Sequence, residues 1–410
     1  LHDGVVLDVG GQYRARYHHE HNFRGAPPGI GLGLTGLDDE FLLHRTRLYG
    51  NLEIGCRFRA YVEYIDAVSF YENLPPRPIE ENRSDLLNAF GEMLLWDDGC
   101  HQLRTRAGRQ ELIYGAQRMI SPLDWANTRR TFQGYKGMYT AGDWNIDGFW
   151  VNPIDPDARN FDSPNQDEEF MGVWATNKSC CDQTVDLMYL RLLDGKNQGA
   201  FPNNFDFHTL GGRVAGTHGC YQYEAWGAYQ FGDNTNGSND SAGAFTLGLG
   251  RSFDCCCWKP AVWFYYDWAS GANQTGAGNG YHHLFPLAHK YLGFMDLYGR
   301  RNIETPNVLF TCQPHERVKL SAWYYYFMLQ NGNDTPYSVV MTPYNPGNAP
   351  RSRELGHEID LTMTYKVNDR TNVLLGYSHF FAGDYYRLTP GVAPNAPGAD
   401  FFYSQLETNF

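Results

Sequence analysis

An all-β fold, a transmembrane antiparallel up-and-down β-barrel of about 18 strands, is what three features of this 410-residue chain predict. Segments of roughly ten residues alternate apolar and polar side chains. Short turns and long polar connections take turns between those segments. The composition is rich in aromatics and glycine, with 28 Tyr, 25 Phe, 10 Trp and 44 Gly, while charged residues are only 19%. That balance suits many strands joined by Gly-containing turns, and neither a disordered nor a helical chain.

The elements follow in order. In segment 4–18, Leu7, Val9, Gly11, Tyr13 and Ala15 share one face, and Asp8, Gly10, Gln12, Arg14 and Arg16 the other. Segment 40–54 sets Leu48, Leu52 and Ile54 against Arg45, Arg47, Tyr49, Asn51 and Glu53. After a tight turn at Gly55-Cys56, segment 57–68 sets Phe58, Ala60, Val62 and Tyr64 against Arg57, Arg59, Tyr61 and Glu63. The pattern continues over 86–97, 102–112, 129–141, 145–154, 168–177, 183–193, 206–217, 221–231, 242–252, 258–268, 305–312, 316–329, 354–366, 371–381 and 400–410. Long connections fall at 19–39, 69–85, 113–128, 155–167, 269–304, 330–353 and 382–399, so residues 1–410 read as a single domain with short periplasmic turns and long extracellular loops. With that many strands the lumen is too wide for side chains to fill, so the polar face points inward and the aromatic-edged apolar face meets outer-membrane lipid.

Other classes are excluded. A membrane-crossing helix needs about 18 consecutive apolar residues; the nearest approach, Ala261 to Ala269, is short and carries Asp267. A net charge of −13 opposes nucleic acid as a partner. No basic and apolar leader precedes Leu1, so any signal peptide is expected to have been removed or to lie outside these residues. No nucleotide-binding loop appears, and no cofactor is expected. Ser378 and His379 are adjacent on a strand and point to opposite faces, so they make no catalytic pair and no enzyme is expected. The last segment ends on Phe410, a feature outer-membrane barrels offer to the barrel assembly machinery.

Five blocks carry a family resemblance. They are Gly108-Arg109-Gln110-Glu111-Leu112 with Tyr114-Gly115, Gln117-Arg118, Trp125, Asn127 and Arg129 to Gly134; Tyr266-Asp267-Trp268-Ala269-Ser270-Gly271; Phe285-Pro286 with Ala288-His289-Lys290 and Gly299-Arg300 to Ile303; Gly356-His357-Glu358-Ile359-Asp360-Leu361; and Ser378-His379-Phe380-Phe381-Ala382-Gly383. In this order they resemble the alginate export porin family. The resemblance implies an eighteen-stranded outer-membrane barrel, in a Gram-negative-type bacterium, that passes anionic polysaccharide. The nine cysteines depart from that family's pattern.

On the polar parity, Arg14, Arg16, Arg45, Arg47, Arg57, Arg59, Arg104 and Arg106 fall on neighbouring strands, with Arg109 and Arg129 beside them in the first block. Guanidinium forks suit carboxylates, and a polyuronate presents one per sugar, so many shallow contacts could draw it along. Alternatively these arginines pair with Glu53, Glu63, Glu92 and Asp360 and stiffen the wall. Tyr49, Tyr61, Trp226, Trp323 and Tyr325 share that face and suit either sugar stacking or wall packing. Acids crowd the long connections instead, at Asp38, Asp39, Glu40, Glu80, Glu81, Asp155, Asp157, Asp167, Glu168 and Glu169. The connection 271–305 is too apolar for a solvated loop and is expected to fold inward as a plug or against the rim; its His282, His283 and His289 read as ordinary loop histidines and not metal ligands.

The cysteines sit at or beside short turns, and an oxidising periplasm permits disulfides between neighbouring strand ends. Cys56–Cys100 and Cys257–Cys312 are expected to pair, Cys180 or Cys181 to approach Cys220, and Cys220 to approach Cys255, with the odd total leaving at least one thiol free or linked between chains; a metal site on Cys255-Cys256-Cys257 is disfavoured by its spacing. The functional expectation is a passive conduit for alginate-like polyuronate or its oligomers. Its rivals are a diffusion porin for small anionic nutrients and a plugged structural wall protein.

Overall fold

The computed structural model describes residues 4–24, 34, 36–179, 182–196, 203–233, 239–253, 256–273, 279–345, 347–392 and 398–410. Eighteen strands form one sheet: β1 (Val5–Arg24), β2 (Leu37–Ile54), β3 (Phe58–Phe70), β4 (Asn82–Asp97), β5 (His101–Gln110), β6 (Phe132–Ala141), β7 (Trp144–Pro153), β8 (Glu168–Asn177), β9 (Gln183–Lys196), β10 (Asn203–His218), β11 (Tyr221–Asp233), β12 (Asn239–Ser252), β13 (Ala261–Ala269), β14 (Ile303–His315), β15 (Val318–Met328), β16 (Glu354–Lys366), β17 (Thr371–Ala382) and β18 (Gly398–Asn409). Each pairs antiparallel with the next in sequence, from Gln12↔Arg47 of the first pair to Ser378↔Phe401 of the last. The sheet closes where β1 meets β18, from Gln12↔Asn409 to His21↔Asp400. Closure leaves no edge, so every strand finds its backbone partners within the wall, as a membrane demands.

The seam is tight at its short-turn end. Gly11 donates to Phe410 O at 2.9 Å and accepts from Phe410 N at 3.0 Å. A Cβ at Gly11 would stand 2.6 Å from Arg47 O and 2.7 Å from the Phe410 ring, so only glycine admits this approach.

Alternation decides the two faces. On β1, Arg14, Arg16, His18 and Glu20 are buried, while Leu7 and Val9, of the opposite parity, lie exposed. Leu48, Val62, Val173, Leu187, Leu210, Leu247, Leu249, Phe264, Phe310, Leu361, Phe402 and Leu406 continue the exposed apolar band round the wall. No helix among the described residues is long and apolar enough to cross a membrane; the strands do so.

The inward face is not uniformly polar. Phe132, Phe149, Val151, Phe170, Trp174, Met188, Leu190 and Leu192, from β6 to β9, are buried together with Leu112, Met119, Ile120 and Leu284 from the loops. The expectation of a hydrated lumen fails in this sector because loops fill it, and a loop's apolar side needs an apolar wall to bury against.

The cysteine pairing does not form. Cys56, Cys100, Cys220, Cys257 and Cys312 carry free thiols, and Cys181 lies outside the described residues, as do Cys180 and Cys255. The reason is barrel shear: successive strands are displaced along one another, so neighbouring turns are offset along the strand direction. The Phe58↔Met93 register puts Cys56 level with Leu95, whereas Cys100 lies farther along the strand direction, in the turn beyond Asp97 where β4 ends. Across from Cys220 stands Ser252, whose N–H donates to Cys220 O at 2.9 Å. Cys312 is buried within β14 and level with Pro260, while Cys257 is exposed on the preceding turn.

Candidate functional site: a lumen crossed by two loops

Residues 111–131, between β5 and β6, run into the barrel and span it. At one wall, Arg14 of β1 donates to Asp124 O (2.7 Å), Ala126 O (2.9 Å) and Asn127 Oδ1 (3.3 Å). Arg45 of β2 reaches Asp124 Oδ1 at 3.0 Å and Gln12 Oε1 at 2.7 Å. Arg16 donates to Trp125 O at 2.8 Å and lies 3.8 Å over the Trp125 ring. At the other wall, Arg118 meets Glu224 of β11 at 3.2 Å and Asp267 of β13 at 3.4 Å. β11 stands half-way round the barrel from β1 and β2, so this loop is a crosspiece. All four arginines are buried; at the Arg118 end the carboxylates of Glu224 and Asp267 are buried as well, and breaking a buried pair of that kind costs ~3–5 kcal/mol, which holds that end of the crosspiece in place.

Asp124 gathers the anchors. Burial opposes its ionisation, but Arg45, Arg129 and Arg14 outweigh burial and hold the carboxyl below the ordinary range. Arg129, itself paired with Glu111 at 2.5 Å, contacts Asp124 from the crosspiece.

Residues 270–273 and 279–302 belong to the second inward segment, which includes the short helix α1 (Ala288–Tyr291). It joins the crosspiece as an added strand-like contact: Ser121 N donates to Phe285 O at 2.9 Å, Phe285 N to Met119 O at 2.8 Å and Leu287 N to Gln117 O at 2.9 Å. His289 stacks on Trp125 with centroids 3.6 Å apart and on Phe294 at 4.8 Å, and its Nδ1 pairs with Asp296 at 2.9 Å. Trp125 is therefore held between Arg16 of the wall and His289 of the plug. The far end is tied to β16 without any cation: Met295 N donates to Glu358 Oε1 (3.0 Å) and Phe294 N to Asp360 Oδ2 (3.1 Å). Arg300 closes the network on Asp267 at 2.7 Å. A second short helix, α2 (Asp384–Leu388), caps this segment through Tyr386, whose hydroxyl lies 2.7 Å from that of Tyr298. Burial lowers His282, to about 3, and lowers His283 and His289 as well, so all three are neutral in the plug.

The expected arginines divide into two groups. Arg14, Arg16 and Arg45 hold the crosspiece. Arg47 (to Glu63, 2.7 Å), Arg104 and Arg106 (both to Glu92, at 3.5 and 2.7 Å) and Arg59 (to Asn51 Oδ1, 2.6 Å) stay on the inner wall and keep partial exposure. Arg109 is turned to the long-loop rim, bound to Asp85 and to Asp162 O. Arg57 is a correction: β3 begins one residue later, and Arg57 lies exposed in the turn that Gly55 opens. Of the expected aromatics, Trp323 and Tyr325 are buried in a stack with Phe327 (centroids 5.2 and 5.4 Å) and Trp226 is buried beneath Arg300, so these are packing groups. Tyr49 and Tyr61 remain half-exposed and stack at 5.9 Å.

Arg118, Arg213, Glu224, Asp186, Arg300 and the Glu358–Asp360 pair escaped sequence reasoning as a network. A signal existed. Arg118, Trp125, Asp267, His289, Arg300, Glu358 and Asp360 all come from the blocks that carry the family resemblance, and the structure brings them together inside the lumen.

A closed wall with an apolar outer band, around a lumen crossed by ion-paired loops, defines an outer-membrane channel of the porin type. The chain belongs to the alginate export family, whose sequence profile matches residues 5–400. It resides in the outer membrane of a Gram-negative-type bacterium. Among solved structures it is similar to Acinetobacter baumannii OccAB1 (10% identity, TM-score 0.67, covering 98% of this chain and 96% of that one). Pseudomonas aeruginosa OccD3 (OpdP) is similar at 12% identity and TM-score 0.65, covering 100% and 92%. Pseudomonas aeruginosa OccK2 (OpdF), solved in complex with glucuronate, is similar at 10% identity and TM-score 0.62, covering 98% of each chain. At such identities these likenesses are of fold. No curated protein sequence matches the chain.

Proposed function

We propose that this channel conducts anionic sugars, polyuronate or its oligomers, along the inner wall formed by β2 to β5. The carrying observation is the set of guanidiniums that stay in water contact there: Arg104 and Arg106 share the single carboxylate of Glu92, and Arg59 donates to the amide oxygen of Asn51 and lies over the Tyr61 and Phe90 rings. Arg47, paired with Glu63, continues this surface toward the crosspiece, where Arg129 is engaged by Glu111 and Asp124. A carboxylate 4 Å from one guanidinium gains roughly 4 kcal/mol at an effective dielectric of about 20, before desolvation. A hydrated pore lowers that figure, which suits transit better than capture. The family supports a polysaccharide cargo, and a neighbour of the same fold was solved with a uronate.

The crosspiece and plug favour a second reading, in which the narrowed lumen passes only single small anions. Single-channel conductance separates the two. Block by polyuronate at low concentration supports the polymer conduit; conduction of monomeric uronate with no effect of polymer supports the small-solute porin; no conductance in any condition sinks both.

A further inference from the structure

The thiols take no part in the lumen, and their placement on the rim has its own logic. We propose that copies of this chain are joined by disulfides into rows, the periplasmic thiols on one flank of a barrel pairing with those on the opposite flank of its neighbour.

Cys56 lies in the β2–β3 turn, Cys100 in β4–β5, Cys220 in β10–β11 and Cys257 in β12–β13. Cys56, Cys100 and Cys257 are exposed, Cys220 is half-buried, and all four thiols are free. All belong to the short-turn rim, which faces the oxidising periplasm. The shear that separates Cys56 from Cys100, and sets Ser252 opposite Cys220, denies them partners within the chain.

The four form two flanks. Eight strands separate the Cys56 turn from the Cys220 turn in one direction and ten in the other, and the same holds for Cys100 and Cys257. The flanks are thus nearly opposed across the barrel. Copies inserted in one membrane share orientation and depth, so rim thiols of adjacent barrels meet at one height. A contact of one flank with the opposite flank is head-to-tail and does not close, which gives rows and not pairs.

The chemistry balances by thiol–disulfide exchange. The Cys56 or Cys100 thiolate attacks the disulfide of a periplasmic dithiol oxidant, forming a mixed disulfide and releasing one oxidant thiol. The neighbour's Cys220 or Cys257 thiolate then attacks the cysteine sulfur of that mixed disulfide, forming the interchain bond and expelling the second oxidant thiol. Two cysteine protons are lost, and two electrons reduce the oxidant to its dithiol.

Outer membranes are isolated with free thiols alkylated at lysis and run on non-reducing gels, with cross-linked peptides mapped by mass spectrometry. The expected wild-type result is a ladder of dimers, trimers and higher multimers that collapses to monomer on reduction, with Cys56 or Cys100 joined to Cys220 or Cys257. The exposed-turn variant Cys56→Ser/Cys100→Ser, its barrel verified by heat-modifiable migration, loses one flank from every copy and runs as monomer without reduction, whereas a disulfide-linked dimer of this variant would mean same-flank pairing and overturn the rows. Alkylated monomer throughout, a wild-type pattern ending at the dimer, or disulfides to a different polypeptide each overturn the proposal.

Discussion

Arg14 shows how far a residue's identity and its job can diverge. Its parity on β1 is legible in the sequence, yet its guanidinium is spent on the carbonyls of Asp124 and Ala126, 110 and 112 residues away. Hydrogen bonds to a charged group contribute about 1.5–3 kcal/mol. Arg14→Met is therefore expected to lower stability by about 2 kcal/mol and to raise single-channel conductance as the crosspiece loosens; unchanged conductance in a folded variant counts against the anchor. Gly293 is a second such point. It sits at φ +88°, and an added Cβ would stand 2.5 Å from the Glu358 carboxylate that receives the Met295 amide. Gly293→Ala should unseat this end of the plug, read as faster hydrogen exchange at Phe294 and Met295 with the wall amides unaffected. Neither contact has a local signal, because each joins residues distant in sequence.

At the scale of elements, the strands were readable and the loops were not. Period-two alternation located every one of the eighteen strands, since each has one face in lipid and one turned inward. The apolar stretch 271–305 announced an inward fold, but nothing local announced that 111–131 would meet it, because Met119, Ile120 and Phe285 are paired only by tertiary packing. The plug carries a pH dependence. Burial lowers His282 to about 3, and His283 and His289 shift the same way despite Asp296 beside His289. A plug released into water has histidines near 6.5 and binds more protons than the seated plug, so seating weakens as pH falls from about 6.5 toward 3. Conductance should rise between pH 7 and pH 4.5, and less so in His282→Gln; a flat wild-type profile across that range would falsify the assignment of neutral histidines to the seated state.

For the whole molecule, basic charge is gathered in one sector of the inner wall, although acids are buried inside as well, among them Glu63, Glu92, Glu224, Asp267, Glu358 and Asp360. The chain is acidic at −13, yet its acids include rim groups such as Asp155, Asp157 and Asp167, while Arg47, Arg59, Arg104 and Arg106 occupy the inner wall. Planar-bilayer reversal potentials should therefore show anion preference in spite of the net charge. Replacing Arg59, Arg104 and Arg106 with Gln should lower the anion-to-cation ratio several-fold, and raised ionic strength should lower it in the wild type by screening. A cation-preferring wild type would remove the basis of the proposed conduit.

Alternation, strand number, facing and the presence of arginines on the inner parity were set by the sequence alone, because a strand's two faces are fixed by residue spacing and a membrane permits no other placement of its apolar side. Which arginines stay open to the lumen, how two loops meet across it, and why neighbouring cysteines stand apart were decided by tertiary structure. Those outcomes depend on shear and on contacts between residues far apart in the chain, and spacing along one strand carries no record of how far its neighbour is displaced along it.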